Sequence, residues 1–203
     1  DKGSQMIENR DYTGKDFSNE DEMPEKLSRV RFTDCMFNSL SFADTELDGC
    51  AFEHCSFDFA KLCGNIERCA FLNCSFRFAD LLGAEFIGCK LTGSDLSQLS
   101  DSGFTLSGGD WSYTLLAKVV IKKHDLGGVN FTGSNLFECR FESCKLGGVR
   151  FDNSVITRLS LRNSDIREAS FGMVDLSQID FKGCTADLDF CVTFARAAGI
   201  KVK

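Results

Sequence analysis

The chain has 203 residues, is 43% hydrophobic and carries a formal net charge of −7, which is enough apolar content for one sizeable core in one domain or two. No apolar run reaches the 18 residues of a membrane span, and no charged n-region leads into an apolar h-region, so a cytoplasmic protein is expected. Eleven cysteines are an odd number in a long chain without a secretory signal, which favours reduced thiols over a disulfide framework.

The first five residues, DKGSQ, read as a remnant of a tag or protease site, with Met6 as the expected natural start. Residues 6–26 are expected to form an N-terminal cap, in which Tyr12 and Phe17 keep a five-residue spacing and Pro24 closes the segment.

From Leu27 the chain repeats every five residues in blocks such as VRFTD, CMFNS, LSFAD, CAFEH and CSFDF. Thirty-two blocks run from Leu27 to Phe181, broken by a single four-residue step at AKLC, Ala60 to Cys63. The block centres are thirteen Phe, thirteen Leu and four Ile, with Trp111 and Asp101 the exceptions. Neither a helix, at 3.6 residues per turn, nor a strand, at 2, repeats in fives by itself. Two inward residues flanking an outward one make a short strand, and the remaining two turn a corner, so five residues form one side of a square. Four sides make a coil of about twenty residues stacked at roughly 4.8 Å. The expected fold over 27–185 is therefore an all-β solenoid: a quadrilateral parallel β-helix of about eight coils, roughly 38 Å long at that spacing.

Two residues before each centre lies a small or medium side chain, and nine of the eleven cysteines occupy that slot. Cys35, Cys55 and Cys74 fall on one side in successive coils with Ser94 next, and Cys50, Cys69 and Cys89 on another. The spacing of Cys50, Cys55, Cys69 and Cys74 approaches that of a four-thiolate zinc site. Because Ala, Ser or Val fills the same slot elsewhere, these cysteines read instead as small buried hydrophobes, and no metal is expected.

The stretch 99–126 is the least regular: Asp101 occupies a centre, Phe104 a small-residue slot, and Lys122, Lys123 and His124 stand in a row. A bulge, a short loop or an excursion of functional use fits there. Phe59 and Phe78 share the last position of stacked blocks and are expected to tuck against the corner, although an exposed aromatic patch is the alternative.

From Ala186 the period of five gives way to a C-terminal helix and tail, 186–203, with Asp187 as N-cap and Gly199 as stop. Leu188, Cys191, Val192 and Ala195 form one apolar stripe, expected to cover the last coil. Phe190 and Phe194 form a second, expected to join two copies in a two-fold dimer, so that all six residues belong to the dimerisation helix.

Residues 1–100 carry net charge −8 and residues 101–203 net +1. Asp44, Glu46, Asp48, Glu53, Asp58, Asp80, Glu85 and Asp95 take outward positions, where they form a candidate acidic partner-binding surface or simply keep a β-rod soluble. Catalysis is not expected: His54 and His124 are the only histidines and belong to no recognisable triad, Cys63 and Cys191 have no histidine beside them, no nucleotide-binding loop is present, and the filled interior leaves no pocket. No cofactor is implied.

Blocks such as ADLLG, SDLSQ, VDLSQ and SNLFE resemble the A(D/N)LXX consensus of the pentapeptide repeat family, and the likeness runs from Leu27 to Phe181. The opening YTGKDFSNED and the ending DLDFCVTFARAAGIKV are similar to a mycobacterial member of its drug-resistance subgroup. That resemblance implies a right-handed coil and a dimer joined through its C-termini. It also implies imitation of duplex DNA at the DNA-binding surface of the gyrase A subunit, with protection against topoisomerase poisons such as fluoroquinolones or albicidin. It implies no direct binding of nucleic acid or membrane. The alternatives are a structural solenoid scaffolding an unrelated partner, and a thiol-rich metal or redox module.

Overall fold

The computed structural model describes residues 6–20, 23–99 and 103–203. Parallel strands three or four residues long stack about twenty residues apart: Met6–Glu8 on Lys26–Ser28, then Glu46–Asp48, Gly64–Glu67, Ala84–Ile87 and Thr105–Ser107. These form one six-stranded sheet, side 1 of the coil. Side 2 carries Asp11–Thr13, Arg31–Thr33, Ala51–Glu53 and Ala70–Leu72 and continues as single bridges through Lys90 to Ser170. Side 3 is a ladder of single bridges from Asp16 to Val155. Side 4 begins with bridges at Ser41, Lys61 and Asp80 and becomes a sheet of Val120–Lys122, Arg140–Glu142, Leu159–Ser160 and Ile179–Asp180. From Leu27 the square solenoid makes about eight turns.

The four-residue step is visible in the register. Leu47 pairs with Ile66, Phe52 with Phe71 and Lys61 with Asp80, all nineteen apart, whereas Leu27 pairs with Leu47 at twenty. Losing one residue at a corner shifts no inward side chain to the outer face, because the strand on either side keeps its own alternation.

Each corner has the same backbone solution. The residue two after the centre adopts a positive φ in block after block, from Asn9 at 50° to Gly183 at 76°. Centre carbonyls accept from the amide three residues on, as Ala60 to Phe57 at 3.0 Å and Ser134 to Phe131 at 3.0 Å. A left-handed third residue in such a bonded turn is the mark of the type II kind, which glycine fits best and Asn tolerates. Many corners here carry neither; Arg29, Phe59, Lys118 and Met173 all sit at positive φ, so the stack holds conformations that isolated turns disfavour.

Rings and thiols fill the interior. Tyr12, Phe32, Phe52 and Phe71 stack face to face along side 2 at 5.3, 5.0 and 4.8 Å between centroids. Phe17, Phe37, Phe57 and Phe76 do the same on side 3, and the two columns meet edge to face, as Phe32 with Phe37 at 5.1 Å, an arrangement aromatic quadrupoles favour. The cysteine ladders form as the spacing predicts, and the inward thiols other than Cys69, which donates to Glu67 O, donate to a centre carbonyl one coil back. Cys50 reaches Leu27 O at 3.3 Å, Cys55 Phe32 O at 3.4 Å and Cys139 Leu116 O at 2.9 Å. Ser94, Thr114 and Ser134 make the same bond to Phe71, Leu91 and Trp111. Cysteine thus stands in for serine as well as alanine in this slot. Burial pushes the Cys89 thiol up to about 11 and Cys139 to about 12, so both stay protonated and unreactive near neutral pH. Among the described residues no group of three or more His, Cys, Asp or Glu side chains is placed to hold a metal ion.

Residues 6–20, expected as a cap that keeps the five-residue phase at Tyr12 and Phe17, pair in register with the next coil and continue its ring columns. Two expectations meet a different outcome. Residues 103–126 keep the twenty-residue register, so the expected irregularity is absorbed by packing; Asp101 lies outside the described residues. Phe104 and Trp111 are fully enclosed and stack in parallel at 5.9 Å, and the slot before Trp111 is left to Gly109. A Cβ on Gly109 would stand 2.1 Å from the Cys89 carbonyl oxygen. Phe59 and Phe78, expected against the corner, are 62% and 49% exposed and stack on each other at 5.1 Å. Their positive φ, 60° and 56°, swings the side chains away from the rod.

Replacing Gly109 by Ala is expected to cost about 3 kcal/mol or more, because a buried backbone contact must open. The same change at Gly128, at φ 71° with nothing within 4 Å, is expected to cost about 1 kcal/mol of backbone strain alone. Urea unfolding of the two variants separates them; equal losses would show that the close approach is not what Gly109 serves.

Candidate partner-binding surface

All eight acidic positions singled out in the sequence face outward or sit at corners, but on different sides of the rod. Glu46, Asp48 and Glu85 lie on side 1, Glu53 on side 2, Asp58 and Asp95 on side 3 and Asp80 on side 4, with Asp44 at the corner between sides 4 and 1.

The twenty-residue register also decides their partners. Lys26 donates to Glu46 at 2.7 Å, one coil apart in the same column, and Arg68 donates to Asp48 at 2.6 Å from the adjoining column of the next coil. Both bonds raise the base above its ordinary value. Arg68 also reaches Glu67 at 2.9 Å. Asp58 accepts from the Ser75 hydroxyl and from the Arg77 amide, with the Arg77 guanidinium 3.7 Å away, and Glu53 has His54 at 3.9 Å. Side 1 is therefore laced with ion pairs. Exposed pairs of this kind contribute little stability, but they cancel the field a partner would meet.

Four carboxylates keep their charge uncompensated by an ion pair among the described residues: Asp44, Asp80, Glu85 and Asp95. Asp80 and Asp95 are fixed in direction by the amides of Leu82 and Ser97, each at 2.9 Å, in the local turn that Asp favours. Asp11, Asp16 and Asp34 are exposed in the same half of the rod and also lack an ion-pair partner among the described residues. Sequence reasoning passed over the first two because their segment was expected to be a cap. Asp34 had a signal, since it lies two residues after a centre, where the chain turns outward.

At the other end, α1 spans Leu188–Ala197. The amide of Phe190 donates to the Asp187 cap at 2.8 Å, and Asp187 also accepts from the Glu168 amide. These two bonds hold its carboxyl below the usual range. Gly199, at φ 82°, ends the helix as expected. The covering role, expected of the Leu188 stripe, falls to the Phe190 stripe. Phe190 packs on Phe171 at 5.3 Å and Phe181 at 5.2 Å, and Phe194 meets Phe181 at 5.7 Å. The last coil ends in rings, and rings cover it best. Leu188, 77% exposed, lies with Cys191, Val192 and Ala195 on the opposite arc.

The sequence signature described as pentapeptide repeats matches in eight copies, at residues 65–98, 124–153, 134–172 and 144–183. The pentapeptide repeat protein MfpA of Mycobacterium tuberculosis is 28% identical over 123 residues, which is 61% of this chain and 54% of that protein; the match spans about half the length of that relative. The full-length structure of QnrB1, a plasmid-mediated fluoroquinolone resistance protein, superposes with a TM-score of 0.83 over 97% of this chain and 100% of its own, at 21% identity. A trypsin-treated variant of QnrB1 gives 0.82 at 23% identity, over 99% of this chain and 100% of its own.

Phe190→Ala is expected to lose about 3 kcal/mol by opening the ring contacts over the last coil, whereas Leu188→Ala is expected to stay within about 0.5 kcal/mol. Both are read from urea unfolding at a concentration low enough to keep the chain monomeric; the reverse order would return the covering role to the Leu188 stripe.

Proposed function

Since the chain belongs to the pentapeptide repeat family, we propose that it is a stoichiometric binding protein that occupies the DNA-binding surface of DNA gyrase, at its A subunit, and protects the enzyme from fluoroquinolone-type poisons. The observation that carries this reading is the combination of an evenly stacked rod with an acidic half whose Asp44, Asp80, Glu85 and Asp95 carry no ion pair among the described residues. The likeness of the fold to a fluoroquinolone resistance protein supports it. Duplex DNA presents one charge per about 1.7 Å of axis, while coils repeat at about 4.8 Å, so several sides of the rod share in the imitation. A cationic groove attracts these carboxylates as it attracts phosphates. The bound rod displaces DNA, and a cleavage complex that does not form cannot be trapped by drug.

Titration into a gyrase supercoiling reaction containing a fluoroquinolone tests this. Recovery of supercoiling at low concentration, with inhibition at higher concentration, is the expected result. Neutralising Asp44, Asp80, Glu85 and Asp95 together is expected to abolish both effects with the fold intact. Neutralising the ion-paired Glu46 and Asp48 is expected to weaken them far less. No effect of the unaltered protein on either activity would overturn the gyrase reading and favour a scaffold for another partner.

The exposed arc of α1, with Leu188 at its centre, is the surface we assign to a two-fold dimer. That places the acidic halves at the two far ends of a longer rod. Leu188→Asp is expected to give a monomer by light scattering at micromolar concentration, where the unaltered chain is a dimer; a dimer that survives the change would move the interface elsewhere.

A further inference from the structure

Side 4 gains positive charge along the rod. In its first half it carries Lys61 and Asp80 on neighbouring coils. In the second half, Lys118, Glu138 and Arg158 form the column at its corner with side 3, and Arg140 and Ser160 form the next column on the sheet, with Arg140 paired in register to Ser160. These five residues line one shallow cavity of about 440 Å³.

Most cations nearby are engaged. Arg158 donates to Glu138 at 2.7 Å, Lys122 lies 3.2 Å from Glu142, and Arg162 donates to Asp180. Lys118 and Arg140 are exposed and have no ion-pair partner among the described residues. Three cations against one carboxylate leave the lining with an excess of positive charge.

Ser160 adds an independent observation. It is only 9% exposed, and its hydroxyl oxygen is buried without a hydrogen-bond partner. Inward serines of this rod each donate to a carbonyl one coil back, as Ser154 does to Phe131 at 2.6 Å and Ser164 to Phe141 at 2.9 Å. Ser160 occupies an outward strand position, where no such carbonyl faces it. Folded chains rarely leave a buried hydroxyl unpaired, and this one lines a cavity beside two unengaged cations.

We propose that Lys118, Arg140, Arg158 and Ser160 form a binding site for a phosphate group. A guanidinium presents a planar fork of donors to two phosphate oxygens, the lysine supplies a point charge, and the hydroxyl donates to a third oxygen. Glu138 opposes the ligand, yet it holds the Arg158 guanidinium at the cavity. The phosphate is free or carried on a nucleic-acid backbone. The site stands independently of the gyrase reading, since it lies in the half of the rod where that reading places no acidic contact.

Amide chemical shifts of the isotope-labelled full chain, titrated with inorganic phosphate and separately with a short DNA duplex, test the proposal. Saturable shifts centred on residues 118, 140, 158 and 160 are expected. Arg140→Ala is expected to weaken binding about tenfold, a loss of about 1.4 kcal/mol, and Ser160→Ala about fivefold. Ser160→Ala is also expected to leave thermal stability unchanged or raised, since it removes an unpaired buried hydroxyl. A merely structural serine would not weaken phosphate binding while sparing stability. Glu138→Gln is expected to tighten binding, and Asp125→Asn, an equal charge change on side 1, to leave it unaltered. Response to phosphate but not to the duplex assigns the source to free phosphate; tighter response to the duplex, through the same variants, assigns it to the backbone. Absence of saturable shifts with both ligands, or Asp125→Asn acting as strongly as Glu138→Gln, would overturn the site.

Discussion

The structure depends on one backbone constraint: at nearly every corner the chain must turn through a left-handed conformation without losing its ladder of hydrogen bonds. Eleven glycines meet this at the corners at no steric cost, but nineteen other residues adopt a positive φ there as well, each against a penalty of about 1–2 kcal/mol for an isolated L-residue. The compensation lies in the stack. Most corner residues donate their amide to the coil above, as His54 does to Leu72 at 2.9 Å and Phe59 to Arg77 at 2.9 Å. Each coil is thus held by its neighbours, as in other solenoids, and interior side chains are chosen for how they repeat along the axis.

That logic explains why cysteine is abundant in the interior. The slot before each centre is small, faces inward and lies under a carbonyl of the previous coil. Alanine fills it, serine and threonine fill it and donate, and cysteine does both with a weaker bond and a softer surface. The same register organises the exterior. Residues twenty apart become neighbours, so Lys26 meets Glu46 and Asp125 meets Lys145, and charge on the rod is a pattern of columns. Ion pairs quiet side 1, while uncompensated carboxylates on the first half and uncompensated cations at one corner of the second leave the rod with two chemically different ends.

The five-residue period made the fold legible to the level of single pairs, including the shortened step before Ile66, because hydrophobic centres cannot change face without exposing a ring. The N-terminal coil was less legible: its inward residues are sparser, so Tyr12 and Phe17 looked like a cap with borrowed phase. The roles of the two helix stripes could not be read from spacing, which defines stripes but not the surface they meet; the ring-lined last coil selects Phe190 over Leu188. The ion pairs were readable in principle. Pairing residues one coil apart, twenty before the short step and nineteen across it, couples Lys26 with Glu46 and sets Arg68 one position beyond Glu67, the register partner of Asp48, before any coordinates, which would have marked Glu46 and Asp48 as compensated. Nothing in the sequence marked Ser160, whose hydroxyl, like the Trp111 indole nitrogen, is buried without a partner.

The central claim is that charge borne on a regular rod, rather than shape alone, would bring this protein to a DNA-binding surface. The most direct measurement is the equilibrium affinity for purified gyrase across a series of salt concentrations. The account predicts a logarithm of affinity that falls steeply and linearly with the logarithm of salt, as for a polyanion that releases counterions on binding. The slope should become shallower when Asp44, Asp80, Glu85 and Asp95 are neutralised. Tight binding with a flat salt dependence, unchanged by that neutralisation, would contradict it.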